Sequence, residues 1–269
     1  MNESNPTVTY GALALASLLL LVHAGLSTAF GLKLARPLLI AAVRMFVQLS
    51  LLAVVLQWLF ATESALATVL TILIMLGFAS WETWRRIGRP LAGRRGVLVP
   101  GGAIAAAGLA TLGYALLTQV SPQPWYAPRY SVPILGMILG SVMNAVALGI
   151  DSLTQNAWRE RLNIEAQLAQ GVPFTAATRR LVQRAMKTAL MPTMNLMAAT
   201  GLVMMPGMMT GQILTGTSPH EAIKYQMMII LLVAGATALA VFLAVVGTQR
   251  DLTDDRQRLR LDRLGAERN

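Results

Sequence analysis

Cysteine is absent from all 269 residues, which excludes disulfides, thiolate metal sites and a cysteine nucleophile. Histidine occurs only as His23 and His220, too few for a multi-histidine centre within one chain, so any metal contact must use oxygen or thioether ligands. Charged residues make up 13% and aromatics 6%; six Phe and five Trp cannot furnish the aromatic girdles of a membrane β-barrel. A phosphate loop is also missing. Gly211 and Gly216 have its glycine spacing, but Thr217 stands where the phosphate-binding lysine is required. The chain is therefore not expected to be an enzyme or to hold a nucleotide or other cofactor. Any ATP and Mg²⁺ must be used by a partner chain.

What is abundant is apolar: 55% of residues are hydrophobic and the mean hydropathy is +0.57, values that belong to an all-α membrane protein. Runs of about 18 or more apolar residues cross a bilayer core of roughly 30 Å as helix. Seven are expected, over 8–31, 38–60, 65–81, 97–119, 131–153, 190–214 and 222–247. The first has no basic region ahead of it and exceeds a signal-peptide core, so it is expected to be retained. The net charge of +10 would suggest nucleic acid if it formed a soluble patch, but the cations flank the apolar runs instead. With the N-terminus outside and the C-terminus inside, 19 of the 22 Lys and Arg fall on the cytoplasmic side. Arg129 and Lys224 fall outside, and Arg44 lies within a span; short loops obey this bias strongly. The expectation is a multi-pass transmembrane domain over 1–250, seated in the inner (plasma) membrane, and a charged cytoplasmic tail over 251–269.

Residues 151–188 are too long and too polar for a turn. Leu162, Ala166 and Ala169 recur at helical spacing beside Arg161 and Glu165, and Gly171-Val172-Pro173 then breaks the helix. The pattern is a cytoplasmic helical hairpin, either a solvated or lipid-lying connector or a docking element for a soluble partner. From Thr248 to Asn269 the chain mixes six Arg with Asp and Glu and reads as a short solvated helix that anchors the last span at the lipid surface.

Within the spans, carboxylates that hold a coupling ion are nearly absent: Glu63, Glu82, Asp151 and Glu221 lie at span ends. Arg44 and Gln48, one turn apart, and Asn144, Asn195, Gln212 and Gln226 are polar groups that must face protein or water. For Arg44, a structural charge and the lining of a polar path both remain open. Ten of the 15 Met fall between Met186 and Met228, among them Met204, Met208 and Met209, as flexible packing or as soft ligands. Pro192 and Pro206-Gly207 interrupt the sixth run, and a discontinuous membrane helix suits a cavity or hinge.

The stretch Gly201-Leu202-Val203-Met204-Met205-Pro206-Gly207-Met208-Met209-Thr210-Gly211, continued through Gly216, Pro219 and Ala222-Ile223-Lys224-Tyr225-Gln226, closely resembles the bacterial FetB/YbbM iron-export ABC permease family. The resemblance extends back through Thr188–Thr193, the Glu165, Leu168 and Gly171 segment, the stretch 136–140, and Arg44 with Gln48, covering essentially the whole chain. Ser141 and Asn195 depart from the family pattern, in which some members carry Asn and Asp. The resemblance implies a permease that pairs with a separate ABC ATPase, two copies of each, and exports iron in some form. Plant relatives linked to aluminium tolerance leave an organic solute such as a nucleotide sugar as the alternative cargo, and a non-transporting scaffold or regulator as the alternative class. Glu165-Ala166-Gln167-Leu168-Ala169-Gln170-Gly171 is similar to the ATPase-docking loop of ABC importers, which implies docking by Arg161, Leu162, Glu165, Ala166, Leu168, Ala169 and Gly171.

Overall fold

The computed structural model describes residues 9–120, 123–124 and 126–267; Val8 of the expected first span and the tail residues 268–269 lie outside them. Among the described residues all regular structure is helical. Two compact units follow one another, Met1–Glu63 and Ser64–Asn269.

The first unit pairs α1 (Tyr10–Ala29) with α2 (Ala35–Thr62). Thr9 starts α1 by accepting the Ala12 N–H at 3.3 Å, the side-chain cap that a helix N-terminus favours. Among the described residues of this unit only Ala24, Ser27 and Leu59 are buried, so nearly every Leu and Val of α2 faces outward. An apolar helix exposed all round is unstable in water and at home in lipid.

The second unit is built on α3 (Ala65–Arg86), α4 (Arg95–Ala115), α5 (Pro128–Arg159), α8 (Arg179–Ala199) and α10 (Pro219–Asp251). Between α5 and α8 stand two short helices, α6 (Arg161–Ala169) and α7 (Phe174–Ala177), and α9 (Gly207–Leu214) precedes α10. The 32-residue α5 is the axis: it packs on α3, α4, α8 and α10. One core joins α3, α4, α5 and α10 around Ile104, Leu135, Ile138, Val142 and Val146. Ala236, Ala240 and Ala244 of α10 are wholly buried in it, small side chains that let membrane helices approach closely. At the crossing of α5 with α8 and α10, a Cβ on Gly149 would sit 3.1 Å from Val245 and 3.2 Å from Ala189. Glycine is what permits that spacing. A second core lies at the other end of α5 and gathers Leu153, Ile164, Phe174, Leu181, Val245 and Leu252.

Six helices are long and apolar enough to cross a membrane: α1, α2, α3, α4, α5 and α10. The run expected as a sixth span is divided instead. Helix α8 passes through Pro192 unbroken to Ala199, and α9 starts only at Gly207. The first half of α8 carries Arg179, Arg180, Arg184 and Lys187, so it is amphipathic and no uniform apolar rod. The tail departs further from expectation. Among its described residues it forms no solvated helix; a tight turn closed by the Thr253–Leu259 bridge and one 3₁₀ turn, Leu261–Arg263, fold it back so that Leu264 pairs with Leu91.

Candidate functional site

The expected hairpin is α6, α7 and the helix ends around them. Helix α6 begins where Glu160 turns the chain off α5, and Glu160 is tied to Arg184 of α8 at 2.8 Å. Ile164 of α6 is fully buried and Leu168, one turn on, packs against the same core. These two are the inward anchors. Leu162, at 72% exposure, and Ala166 and Ala169 point outward. The apolar positions read as a helical stripe are thus the presented face, flanked by the exposed Arg161 and Glu165. Arg161 donates to the Trp158 carbonyl oxygen at 3.2 Å and lies 5.3 Å from its ring, which fixes the start of α6 against α5. Gly171, with φ of +82°, turns the chain into Pro173 and α7.

The tail runs beside this hairpin and is tied to α7 and to the α3–α4 loop, leaving the outward face of α6 exposed. The Phe174 N–H donates to Gln257 Oε1 at 3.0 Å, and Gln249 Nε2 donates to Thr178 Oγ1 at 2.8 Å. Further along, Ala92 N donates to the Arg263 carbonyl oxygen and Gly265 N to that of Pro90, both at 2.7 Å. Arg95 pairs with Asp251 at 2.6 Å and Arg89 with Glu267 at 3.0 Å. Arg89 also stacks 4.1 Å from the centre of the Trp158 ring. Inside the tail, the carboxylate of Asp254 accepts the backbone N–H of Arg258 and its Nε, each at 2.9 Å. Those bonds, led by the backbone one, hold its pKa down to about 2. Asp262 is likewise lowered to about 2, chiefly by the hydrogen bond from Arg260.

The polar residues of the spans do not converge on one place. Arg44 and Gln48 share one face of α2 with Val43 and Val47 around a shallow depression. Asn144 of α5 is exposed and accepts from Arg86 of α3, which also pairs with the buried Glu82 at 3.3 Å. Asn195 is exposed on α8. Gln212 and Gln226 are carried by α9 and α10, which pack together; each buries an Oε1 that has no hydrogen-bond partner. Such acceptors are costly to strand. Met209 is buried beside them in sequence, and Met208 packs against the larger core. Met204 is exposed in the connecting loop. Among the described residues no three His, Asp or Glu gather to hold a metal ion.

The break between α8 and α9 lies earlier than Pro206-Gly207. The left-handed residue is Gly201, with φ of +90°, and its N–H closes a tight loop onto the Met204 carbonyl at 3.0 Å. Pro206 is the extended cap of α9 and Gly207 its first helical residue. The sequence expectation places the interruptions at Pro192 and Pro206-Gly207 and does not include Gly201, although a glycine directly after the apolar run of α8 is a C-terminal signal.

Residues 10–253 match the profile of an uncharacterised protein family, UPF0014. Over 96% of its length the chain is 30% identical to the probable iron export permease protein FetB of Escherichia coli K12, covering 97% of that protein. It is 32% identical over 85% of its length to the UPF0014 membrane protein slr1647 of Synechocystis, covering 88% of it. To the Arabidopsis thaliana protein ALUMINUM SENSITIVE 3 it is 31% identical over 84% of its length, covering 81%. No solved structure matches. With its apolar helices and with similarity running nearly from end to end, the chain belongs to the UPF0014 family of multi-pass membrane proteins.

Proposed function

We propose that this chain is the permease subunit of an ABC-type exporter in the plasma membrane, energised by a separate ATPase, and that its cargo is iron in some form. The observation that carries the reading is α6: a short helix clamped inward by Ile164 and presenting Leu162, Ala166 and Ala169 outward. A permease without a phosphate loop receives work mechanically, and a rigid, outward-facing helix at the cytoplasmic end of its central helix can transmit it. The cationic flanks support an N-out, C-in arrangement with seven crossings, α8 and α9 together making the sixth. The cargo comes from similarity to a relative named as a probable iron export permease. Two copies of permease and two of ATPase complete the complex.

A second cargo, an organic solute such as a nucleotide sugar, is favoured by the buried amide oxygens of Gln212 and Gln226, which accept hydroxyl donors as readily as they coordinate a cation. One experiment separates the readings. The chain is purified with a stand-alone ABC ATPase from the same genome, reconstituted in lipid vesicles, and ATP hydrolysis is measured with ferrous and ferric complexes and with nucleotide sugars. Stimulation by iron, with ATP-dependent movement away from the ATPase side, is expected. Stimulation by nucleotide sugars alone overturns the iron assignment, and the absence of any ATPase complex overturns the permease reading.

A further inference from the structure

We infer that the C-terminal tail supplies the second wall of the ATPase docking site, so that a segment of the ATPase seats between α6 and residues 255–259; the inference rests on the docking role proposed for α6.

A cleft of about 790 Å³ opens between them. Glu165, Leu168 and Gly171 form one wall, and Asp255, Arg256 and Leu259 the other. Leu168 and Leu259 both pack on the second core, which gives the cleft an apolar floor, while Glu165, Asp255 and Arg256 stand exposed at its lip. An apolar floor under charges of both signs suits a polar protein segment. Glu165 and Asp255 offset Arg256 and Arg258 in its lining, so the cleft carries no net positive charge to draw it to an anionic leaflet. The cleft is also continuous with the exposed face of α6 through Ala169.

The second wall is fixed before any partner arrives. Gln257 holds the Phe174 N–H, Asp254 gathers the backbone N–H groups of Arg256 and Arg258 at 3.1 and 2.9 Å, and Arg263 donates to the carbonyl oxygens of Asp251 and Thr253 at 2.9 and 2.8 Å. A preorganised cleft binds without the entropy cost of ordering its own wall. Because the same tail pairs with Pro90 and Ala92, a segment seated there touches a strap that runs from α7 to the α3–α4 loop.

The test uses the full-length chain in detergent with the ABC ATPase that copurifies with it. Affinity is measured for the wild type, Arg256→Glu, Asp255→Lys and Ala166→Pro, with thermal unfolding of each variant as control. The absence of native cysteine allows Arg256→Cys to be cross-linked to cysteines placed on the ATPase. The tail charge variants are expected to weaken ATPase binding about tenfold with unaltered unfolding, and Arg256→Cys to cross-link to the ATPase. If the tail variants bind as wild type and Arg256→Cys does not cross-link while Ala166→Pro loses binding, the tail's role is overturned and α6 docking stands. If Ala166→Pro also binds as wild type, the docking reading itself falls. If Arg256→Glu changes only binding to vesicles of anionic lipid, the wall faces membrane and the inference is overturned.

Discussion

At the scale of single residues, Gly201 is where the α8–α9 junction is most constrained. Its φ of +90° brings the Cβ of any L-residue against its own backbone, a strain on the order of 1–2 kcal/mol. Gly207 carries no such demand: it is helical, and nothing lies within 4 Å of a Cβ built on it. Gly201→Ala is therefore expected to lower thermal stability in detergent and to reduce transport, while Gly207→Ala leaves both near wild type. Equal effects of the two would move the critical residue back to the Pro-Gly pair. A pH argument applies to the tail. Asp254 and Asp262 have folded pKa values of about 2, below the ordinary 3.8. A carboxylate depressed in the folded state contributes stability that is complete above its unfolded value and fades as pH falls through the folded one. Amide hydrogen exchange across residues 253–264, corrected for its intrinsic pH dependence, should thus stay flat from pH 5 to 8 and rise only between about pH 4 and 2. A loss of protection near pH 6 would mean that other groups hold the tail.

Among the elements, α6 separates two kinds of contact that sequence periodicity merges. Ile164→Ala removes an inward anchor and is expected to cost about 2–5 kcal/mol, as large-to-small core substitutions do. Leu162→Glu changes an exposed residue, so it should leave unfolding unchanged and weaken copurification with the ATPase. If Leu162→Glu copurifies normally, the outward face is not the contact. Ala166→Pro removes a backbone donor and breaks the helix, and loss of ATPase stimulation is its expected outcome. The existence of α6 was legible because charges alternate with small apolar residues until Gly171-Val172-Pro173 ends the pattern. Which positions face inward was not. Ile164 and Leu168 form a two-residue stripe that shares the helix with Leu162, Ala166 and Ala169, and only the second core decides between them. The tail was illegible for another reason: its partners are Phe174 and the segment 90–92, far away in sequence, and no local pattern encodes such pairing. The large apolar helices were readable because lipid imposes length and hydrophobicity on the sequence itself. The polar residues of the spans were readable as exceptions, but the sequence holds no information on whether they converge.

For the whole molecule, the tail bears directly on the number of crossings. Residues 252–267 pair with Pro90 and Ala92 in the α3–α4 loop and with Phe174 of α7, so all three segments are expected on one side of the membrane. Helix α8 starts at Arg179, directly after α7, and is expected on that side too. Helix α10 is 33 residues long, about 50 Å at the α-helical rise, and it ends at Asp251, next to the tail. If it spans, Pro219 lies on the opposite side. The chain between Arg179 and Pro219 must then cross once, although α8 and α9 are separate helices. Their 21 and 8 residues reach about 30 and 12 Å, enough to span a bilayer core in two pieces, with the cationic first turns of α8 left in the headgroups. A chain without cysteine lets single thiols report this without background. Cysteines at Ala92, Arg180 and Arg256 are expected to react with an impermeant maleimide only from the cytoplasmic side, and those at Glu63 and Thr217 only from the other. Labelling of Arg180→Cys and Thr217→Cys from the same side would make α8 and α9 a re-entrant loop. The tail's contacts with the α3–α4 loop would then forbid α10 from spanning, which its apolar composition makes the least stable arrangement of the two.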